Sequence, residues 1–257
     1  MHGSKVQLGK RYFDQGVIPK VAKSWIEPFA GRGNMFFTFI HYGGICDNYQ
    51  LNDLNMADWL KSLRDYAGDY EFVNESPITT DDYKWWMNQP ESIEKHLAES
   101  FIVRHGNKWG GGPNTSSLYR GGNCHNREHT IARLRTAKKY LEETPGKIVQ
   151  GDYSDFLENI DSIHPDDFVY FDPPYNSGGK VFYDNINHQE MLAFAKSLNC
   201  RVAISGYESD LYFEQLKNWS TINNVHHLTV RKIVDGKKPK INELLWCNYN
   251  LNTHTKA

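Results

Sequence analysis

Cysteine is scarce in this chain, and the few present do not group. The 257 residues hold four, Cys46, Cys124, Cys200 and Cys247, with no C-x-x-C pair among them. A disulfide-stapled domain and a zinc knuckle both need paired, closely spaced cysteines, so neither is expected. His105, Cys124, His125 and His129 lie near one another in the chain, but adjacent Cys and His side chains are poor geometry for tetrahedral ligation, and no metal is expected. Also missing is any apolar run of the ~18 residues that a membrane span needs, and the N-terminus lacks a signal-peptide pattern. The expectation is a cytoplasmic protein with no membrane partner. Internal repeats, coiled-coil heptads and low-complexity tracts are absent too, which excludes solenoids and long coiled coils. What remains is a globular chain, 39% hydrophobic and 14% aromatic, sized for one large domain or two unequal ones.

Proline and glycine punctuate that chain at two informative places. The apolar, β-prone run Phe168-Val169-Tyr170-Phe171 stops at Asp172-Pro173-Pro174-Tyr175, before Asn176-Ser177-Gly178-Gly179. Proline can neither donate to a ladder nor extend it, so this reads as a buried strand ending in a rigid turn. The turn brings a carboxylate, a fixed carbonyl and an aromatic ring to the carboxyl end of a sheet, the edge where open α/β sheets bind ligands. Upstream, Ser24-Trp25-Ile26-Glu27-Pro28-Phe29-Ala30-Gly31-Arg32-Gly33-Asn34 and the apolar stretch from Met35 to Ile40 read as strand, G-x-G turn and helix. Glycine there lets a ligand approach the backbone. A dinucleotide fingerprint would place a third glycine at position 36, where Phe36 stands, which disfavours a nicotinamide cofactor. Twenty residues past Gly33, Asp53 closes the segment Gln50-Leu51-Asn52. An acid at about that distance hydrogen-bonds ribose hydroxyls in Rossmann-like sites.

Asp172-Pro173-Pro174-Tyr175 resembles motif IV of the amino-methyltransferases, and Glu27-Pro28-Phe29 with Gly31 and Gly33 resembles their motif I. His2-Gly3-Ser4-Lys5 is similar to the N-terminal lysine motif used at the methionine end of the cofactor. Lys147-Ile148-Val149-Gln150-Gly151-Asp152-Tyr153 is similar to motif III, whose Asp meets the cofactor adenine. Between Asp53 and Asp172 lie 118 residues, where a βαβ unit consumes about 30; something is inserted. Lysine motif, cofactor motif, insertion and then DPPY is the order of the Dam-like, D12 alpha-group class of DNA N6-adenine methyltransferases, which the chain resembles.

The resemblance implies an α/β fold, Rossmann-like and S-adenosylmethionine-dependent, with an inserted, mainly helical target-recognition domain. The catalytic domain would take residues 1–70 and 145–257, and the insertion 71–144. It implies a cofactor site at Lys5, Glu27, Pro28, Phe29, Gly31, Gly33, Asn34, Asp53, Asp152 and Tyr153, adjoined by Asp172. For Asp152 a second reading stands, a cap on the helix opening at Ser154-Asp155-Phe156-Leu157. Arg201 to Tyr207 and Asn242 to Asn250 resemble the family's fifth and last strands and are read as scaffold.

Net charge is nearly absent at −2, yet unevenly spread. From Phe101 to Tyr140 there are eight Lys or Arg against one acid, Glu128, a segment charge of +7 that leaves −9 for the rest. A second basic run, Arg231-Lys232 and Lys237-Lys238-Pro239-Lys240, flanks Asp235-Gly236, a hairpin-turn signal. Two basic runs in an otherwise acidic chain read as a phosphate track, since neutralised phosphates release counterions. Trp109 to Asn123 is a glycine-rich loop carrying Trp109, Tyr119 and Arg120; these suit base edges, stacking or insertion into a duplex. Asn126 to Glu143 reads as a helix with Ile131, Leu134, Ala137 and Leu141 on one face. The expected contacts to double-stranded DNA are Arg104, Lys108, Trp109, Tyr119, Arg120, Arg127, Arg133, Lys138, Lys139, Lys237 and Lys238.

Within the resemblance, Asp172, Pro173, Pro174 and Tyr175 are catalytic: carboxylate and Pro173 carbonyl accept from a target amine, and the Tyr175 ring stacks on the base. The expected product is N6-methyladenine in DNA, made on a flipped-out base. Methylation of cytosine N4 or of RNA is the alternative, and a nucleic-acid-binding module on a degenerate methyltransferase fold is the non-enzymatic one. Cytosine C5 chemistry would need a Cys nucleophile, and no Pro-Cys motif is present. The expected state is a monomer, or a dimer on DNA, encoded by a bacterium or its phage.

Overall fold

Alternation of side chains along the strands sorts the core into two layers. On β1 (Val21–Glu27) Trp25 packs to one side and Ile26 to the other. On β4 (Phe168–Phe171) Phe168 and Tyr170 oppose Val169 and Phe171. On β5 (Arg201–Tyr207) Ala203 opposes Val202 and Ile204, and on β7 (Lys240–Cys247) Leu245 and Cys247 oppose Leu244 and Trp246. Both faces of each strand are therefore apolar, the signature of a sheet covered by helices on either side. The computed structural model describes residues 6–70, 85, 88–98, 127–160, 162–174, 186–227 and 240–251.

With β2 (Ile45–Asn52), β3 (Gly146–Val149) and β6 (Ser220–His227), the strands form one sheet in the order β3-β2-β1-β4-β5-β7-β6. The pairs from β3 through β5 are parallel, and β7 runs antiparallel to both β5 and β6. Strand order reverses between β1 and β4, so loops leaving those two strands diverge and open a crevice at their carboxyl ends. The motif I turn follows β1 and Asp172 follows β4. The fold expected from the sequence is the one observed, in its sheet and its two helical layers.

Helices α1 (Val6–Asp14), α2 (Asn34–His41), α3 (Ala57–Asp65) and α4 (Arg127–Glu143) bury residues in one layer. Helices α5 (Tyr153–Glu158), α6 (His188–Ser197) and α7 (Asp210–Gln215) do so in the other. The first layer is aromatic: Trp25 stacks on Phe39 with ring centroids 4.4 Å apart and meets Phe168 at 4.9 Å. Each such ring stabilises by about 1.5–3 kcal/mol on burial. Helix α4, placed at the end of the 71–144 segment, packs Ile131, Leu134 and Leu141 into this same core, and the Tyr49 hydroxyl donates to the Leu141 carbonyl at 3.1 Å. Its apolar face is thus spent on this core, against α2 and α3. Among the described residues no helix is long and apolar enough to cross a membrane.

Candidate active site

The turn after β1 is shaped by two glycines in the left-handed region, Gly31 at φ +53° and Gly33 at φ +66°. A Cβ on Gly33 would come within 3.1 Å of the Phe37 ring and 3.3 Å of Leu60, whereas one on Gly31 would meet nothing within 4 Å among the described residues. Gly33 thus lets the turn pack on α2 and α3, and Gly31 leaves bare backbone facing open space. Between them Arg32 places its guanidinium over the Trp59 ring of α3 at 5.8 Å. Gly33 caps α2 without a side chain, so the first amides of that helix are not occupied by a cap hydroxyl or carboxylate.

Asn52 and Asp53, at the end of β2, stitch this turn to its neighbours. Asn52 Nδ2 donates to the carbonyls of Pro28 and Gly151, each at 3.0 Å, and Ala30 N donates to the Asn52 carbonyl at 2.7 Å. Asn52 is 1% exposed, and its Oδ1 finds no hydrogen-bond partner among the described residues. Asp53 Oδ2 accepts from Gly31 N at 2.8 Å, while Oδ1 accepts from Asn55 N at 2.9 Å and Met56 N at 2.8 Å. The acid read as a ribose ligand is therefore also the clamp on the glycine turn and on the turn that leads into α3. Asp152 follows its second reading as well: Oδ1 accepts from Ser154 N at 2.8 Å and Ser154 Oγ at 2.6 Å, capping α5. Beside it Tyr153 meets Phe29 with centroids 4.9 Å apart, and Phe29 in turn meets Phe171 at 6.3 Å. Burial raises the Tyr153 hydroxyl above its usual range.

Glu27 lies beneath the turn, 1% exposed, with its Oε1 accepting from Trp25 Nε1 at 2.6 Å. Burial, opposed by the indole bond and joined by the charges of Asp172 and Asp53, pushes its carboxyl up to about 8. Across the crevice, Asp172 extends β4 one residue beyond the pair Phe171↔Ile204, which brings it beside Ser205 of β5. Ser205 Oγ donates to Asp172 Oδ1 at 2.8 Å, with the Phe171 carbonyl farther off at 3.3 Å. Tyr12, Tyr170 and Tyr212 all feel the Asp172 charge, and burial first of all holds each hydroxyl above its usual range. They are neutral hydroxyls around an acid at neutral pH.

The carboxyl edge of β1, β2, β3 and β4 thus gathers Glu27, Pro28, Phe29, Gly31, Gly33, Asn34, Asp53, Asp152, Tyr153, Asp172, Pro173 and Pro174. Lys5, Tyr175, Arg104, Lys108, Trp109, Tyr119, Arg120, Lys237 and Lys238 lie outside the described residues, and Arg127 only opens α4. Lys138 and Lys139 are not brought to this edge. Lys138 Nζ donates to the Arg64 carbonyl and to Glu142 Oε1, both at 2.6 Å, and Lys139 pairs with Glu143 at 3.6 Å. Helices α2 and α3 start at the carboxyl edge and run away from it. Arg64 is in the last turn of α3, and Tyr140 reaches His41, the last residue of α2. The end of α4 is therefore remote from Asp172, while Arg133 is exposed nearer its start. Sequence reasoning missed Asn52 and Ser205, which carry no motif of their own.

The residues present fit S-adenosylmethionine: a glycine cradle that a Cβ would narrow, aromatic walls and acids at the strand ends. Residues 88–200, under half of the chain but including β3, β4 and Asp172, match the family model for D12 class N6 adenine-specific DNA methyltransferase. Among solved structures, the chain is similar to the rRNA methyltransferase aviRa from Streptomyces viridochromogenes, at 14% identity over 94% of this chain and 84% of that one, with a TM-score of 0.42. It is similar also to SMU.472, a putative methyltransferase complexed with SAH, at 12% identity over 98% and 54% and a TM-score of 0.39. A third is an rRNA methylase from Streptococcus thermophilus, at 12% identity over 96% and 98% and a TM-score of 0.36. The family match lies across the strand that delivers Asp172, so this stretch of the chain, with the acid it carries, is similar to the D12 class N6 adenine-specific DNA methyltransferases.

Proposed function

We propose that the chain methylates the exocyclic N6 of an adenine in double-stranded DNA, with the base turned out of the helix. The observation that carries this reading is the placement of Asp172 at the switch point, one strand from the glycine turn after β1. When bound, the cofactor supplies an electrophilic methyl on a positively charged sulfur. Gly31 and Gly33 would admit it close to the backbone, with Glu27, Pro28, Phe29 and Asn34 around the turn. Asp53 would meet the ribose with acceptor capacity left over from its backbone bonds, Asp152 and Tyr153 the adenine, and Lys5 the methionine end.

The target amine conjugates its lone pair into the purine ring and is a poor nucleophile while planar. Asp172 and the Pro173 carbonyl would accept its two N–H groups, aim the lone pair at the methyl carbon and stabilise the positive charge that grows on nitrogen. With the methyl that the bound cofactor would supply, the lone pair held by Asp172 and Pro173 would form the N–C bond, the electrons of the broken sulfur–methyl bond would stay on sulfur, and the surplus N6 proton would leave to solvent. Tyr175 would stack on the extruded base, offsetting part of the few kcal/mol that extrusion costs. Residues 71–144 serve as the target-recognition segment, rooted on the catalytic sheet through α4.

Transfer of tritiated methyl to duplex DNA tests the reading. Asp172→Ala is expected to slow transfer on the order of 10²-fold or more with cofactor affinity unchanged. Turnover at the wild-type rate would show that another group activates the amine.

A further inference from the structure

We infer that Ser205 is a positioning residue for methyl transfer: its hydroxyl fixes the plane of the Asp172 carboxylate. The inference rests on the reading of Asp172 above. Ser205 is wholly buried at the carboxyl end of β5, on the apolar strand Arg201-Val202-Ala203-Ile204-Ser205-Gly206-Tyr207, where a hydroxyl has no packing advantage over a methyl. A hydroxyl has one proton to donate. Its neighbours include Asp172 Oδ1 at 2.8 Å, the Phe171 carbonyl at 3.3 Å and the Tyr170 hydroxyl, and the short bond to the carboxylate oxygen takes the proton.

The register supplies the reason for the pairing. Phe171 lies opposite Ile204, so Asp172, the first residue past the strand, falls beside Ser205 as ladder pairing ends. A carboxylate at that point has left the sheet, its last torsion has broad wells, and the Ser205 hydroxyl bond narrows them. The Ser205 strand is itself held from the other side by β7, where Ser205 pairs with Leu245 and Gly206 with Leu244. A Cβ on Gly206 would come within 3.2 Å of the Tyr212 ring and 3.4 Å of Trp246. The donor therefore stands on a packed, laterally fixed strand. With Oδ1 pinned, the position of Oδ2 follows, and with it the direction from which the acid can meet an amine. Preorganised acceptors of this kind act without reorganising during the reaction.

The experiment is single-turnover methyl transfer to duplex DNA, alongside calorimetric S-adenosylmethionine affinity, for wild type, Ser205→Ala, Ser205→Cys, Asp172→Ala and the Ser205→Ala/Asp172→Ala double variant. Ser205→Ala should lose about ten- to hundredfold in rate, the range for a hydrogen bond to a charged group, with cofactor affinity and DNA KM within about twofold. Ser205→Cys, a weaker donor of similar shape, should fall between. The double variant should be no slower than Asp172→Ala, because a residue acting through a missing partner has nothing left to lose. Wild-type rate in Ser205→Ala, or losses that multiply in the double variant, would overturn the inference while leaving Asp172 in place. Cofactor binding lost from both Ser205 variants would make the hydroxyl a folding element and overturn it too. If wild type transfers no methyl to DNA, or Asp172→Ala is unimpaired, the functional reading falls first and takes this inference with it.

Discussion

Replacing Glu27 by glutamine should stabilise the protein, and by an amount that depends on pH. In the unfolded chain this carboxyl titrates near 4.5, and in the fold near 8, raised by burial above all. Below pH 4.5 it is protonated in both states and has no effect on stability. Between 4.5 and 8 the unfolded chain releases the proton and the folded chain keeps it, so the native state binds more protons and stability falls as pH rises. Above 8 both states are ionised and the loss is complete. The slope is about 1.4 kcal/mol per pH unit, so the window of about 3.5 units sets a ceiling of about 5 kcal/mol on the total. Glutamine has nearly the shape of the protonated acid and keeps an oxygen for the Trp25 indole, yet does not titrate.

Urea unfolding of wild type and Glu27→Gln, followed by tryptophan fluorescence from pH 4 to 9, measures the difference directly. The curves should coincide near pH 4 and separate steadily to pH 8, with the Glu27→Gln variant the more stable, then run parallel. A constant offset, or a variant less stable than wild type throughout, would mean that Glu27 is ionised in the fold and that a cation balances it.

Asp53→Ala should weaken S-adenosylmethionine binding by calorimetry and also lower stability by about 1 kcal/mol or more, because the same carboxylate accepts from Gly31 N and from Asn55 N and Met56 N in the turn before α3; unchanged cofactor affinity would leave it a clamp alone. Arg133→Ala should flatten the salt dependence of DNA binding by a slope of about 0.9. Lys138→Ala should leave that slope unchanged, its ammonium being held by Arg64 and Glu142. Equal slopes for the two variants would return the end of α4 to the DNA.

Punctuation makes much of the candidate site legible in the sequence. Two prolines after Phe171 and two glycines after Glu27 dictate what the backbone can do locally, so the strand ends and their turns could be read residue by residue. Asp53 and Asp152 were harder, because an acid at a strand end has the same spacing whether it caps the next helix, holds the neighbouring turn or meets a ligand. Lys138 shows a different limit: its charge is visible in the chain, but the direction of α4 relative to the sheet is a tertiary fact. Ser205 reads as scaffold in the sequence because its role depends on the register between β4 and β5, and a separation of 33 positions from Asp172 carries no trace of that pairing.

Asn52 has a consequence for how the candidate site meets a ligand. One side chain ties the carbonyl of Pro28 to that of Gly151 while its backbone holds Ala30, so three successive strand ends move as a single body. The conformational entropy of those loops is surrendered during folding, when the apolar layers can offset it, rather than at each turnover. A ligand arriving at this edge meets a surface already set, and its affinity is not reduced by having to organise one.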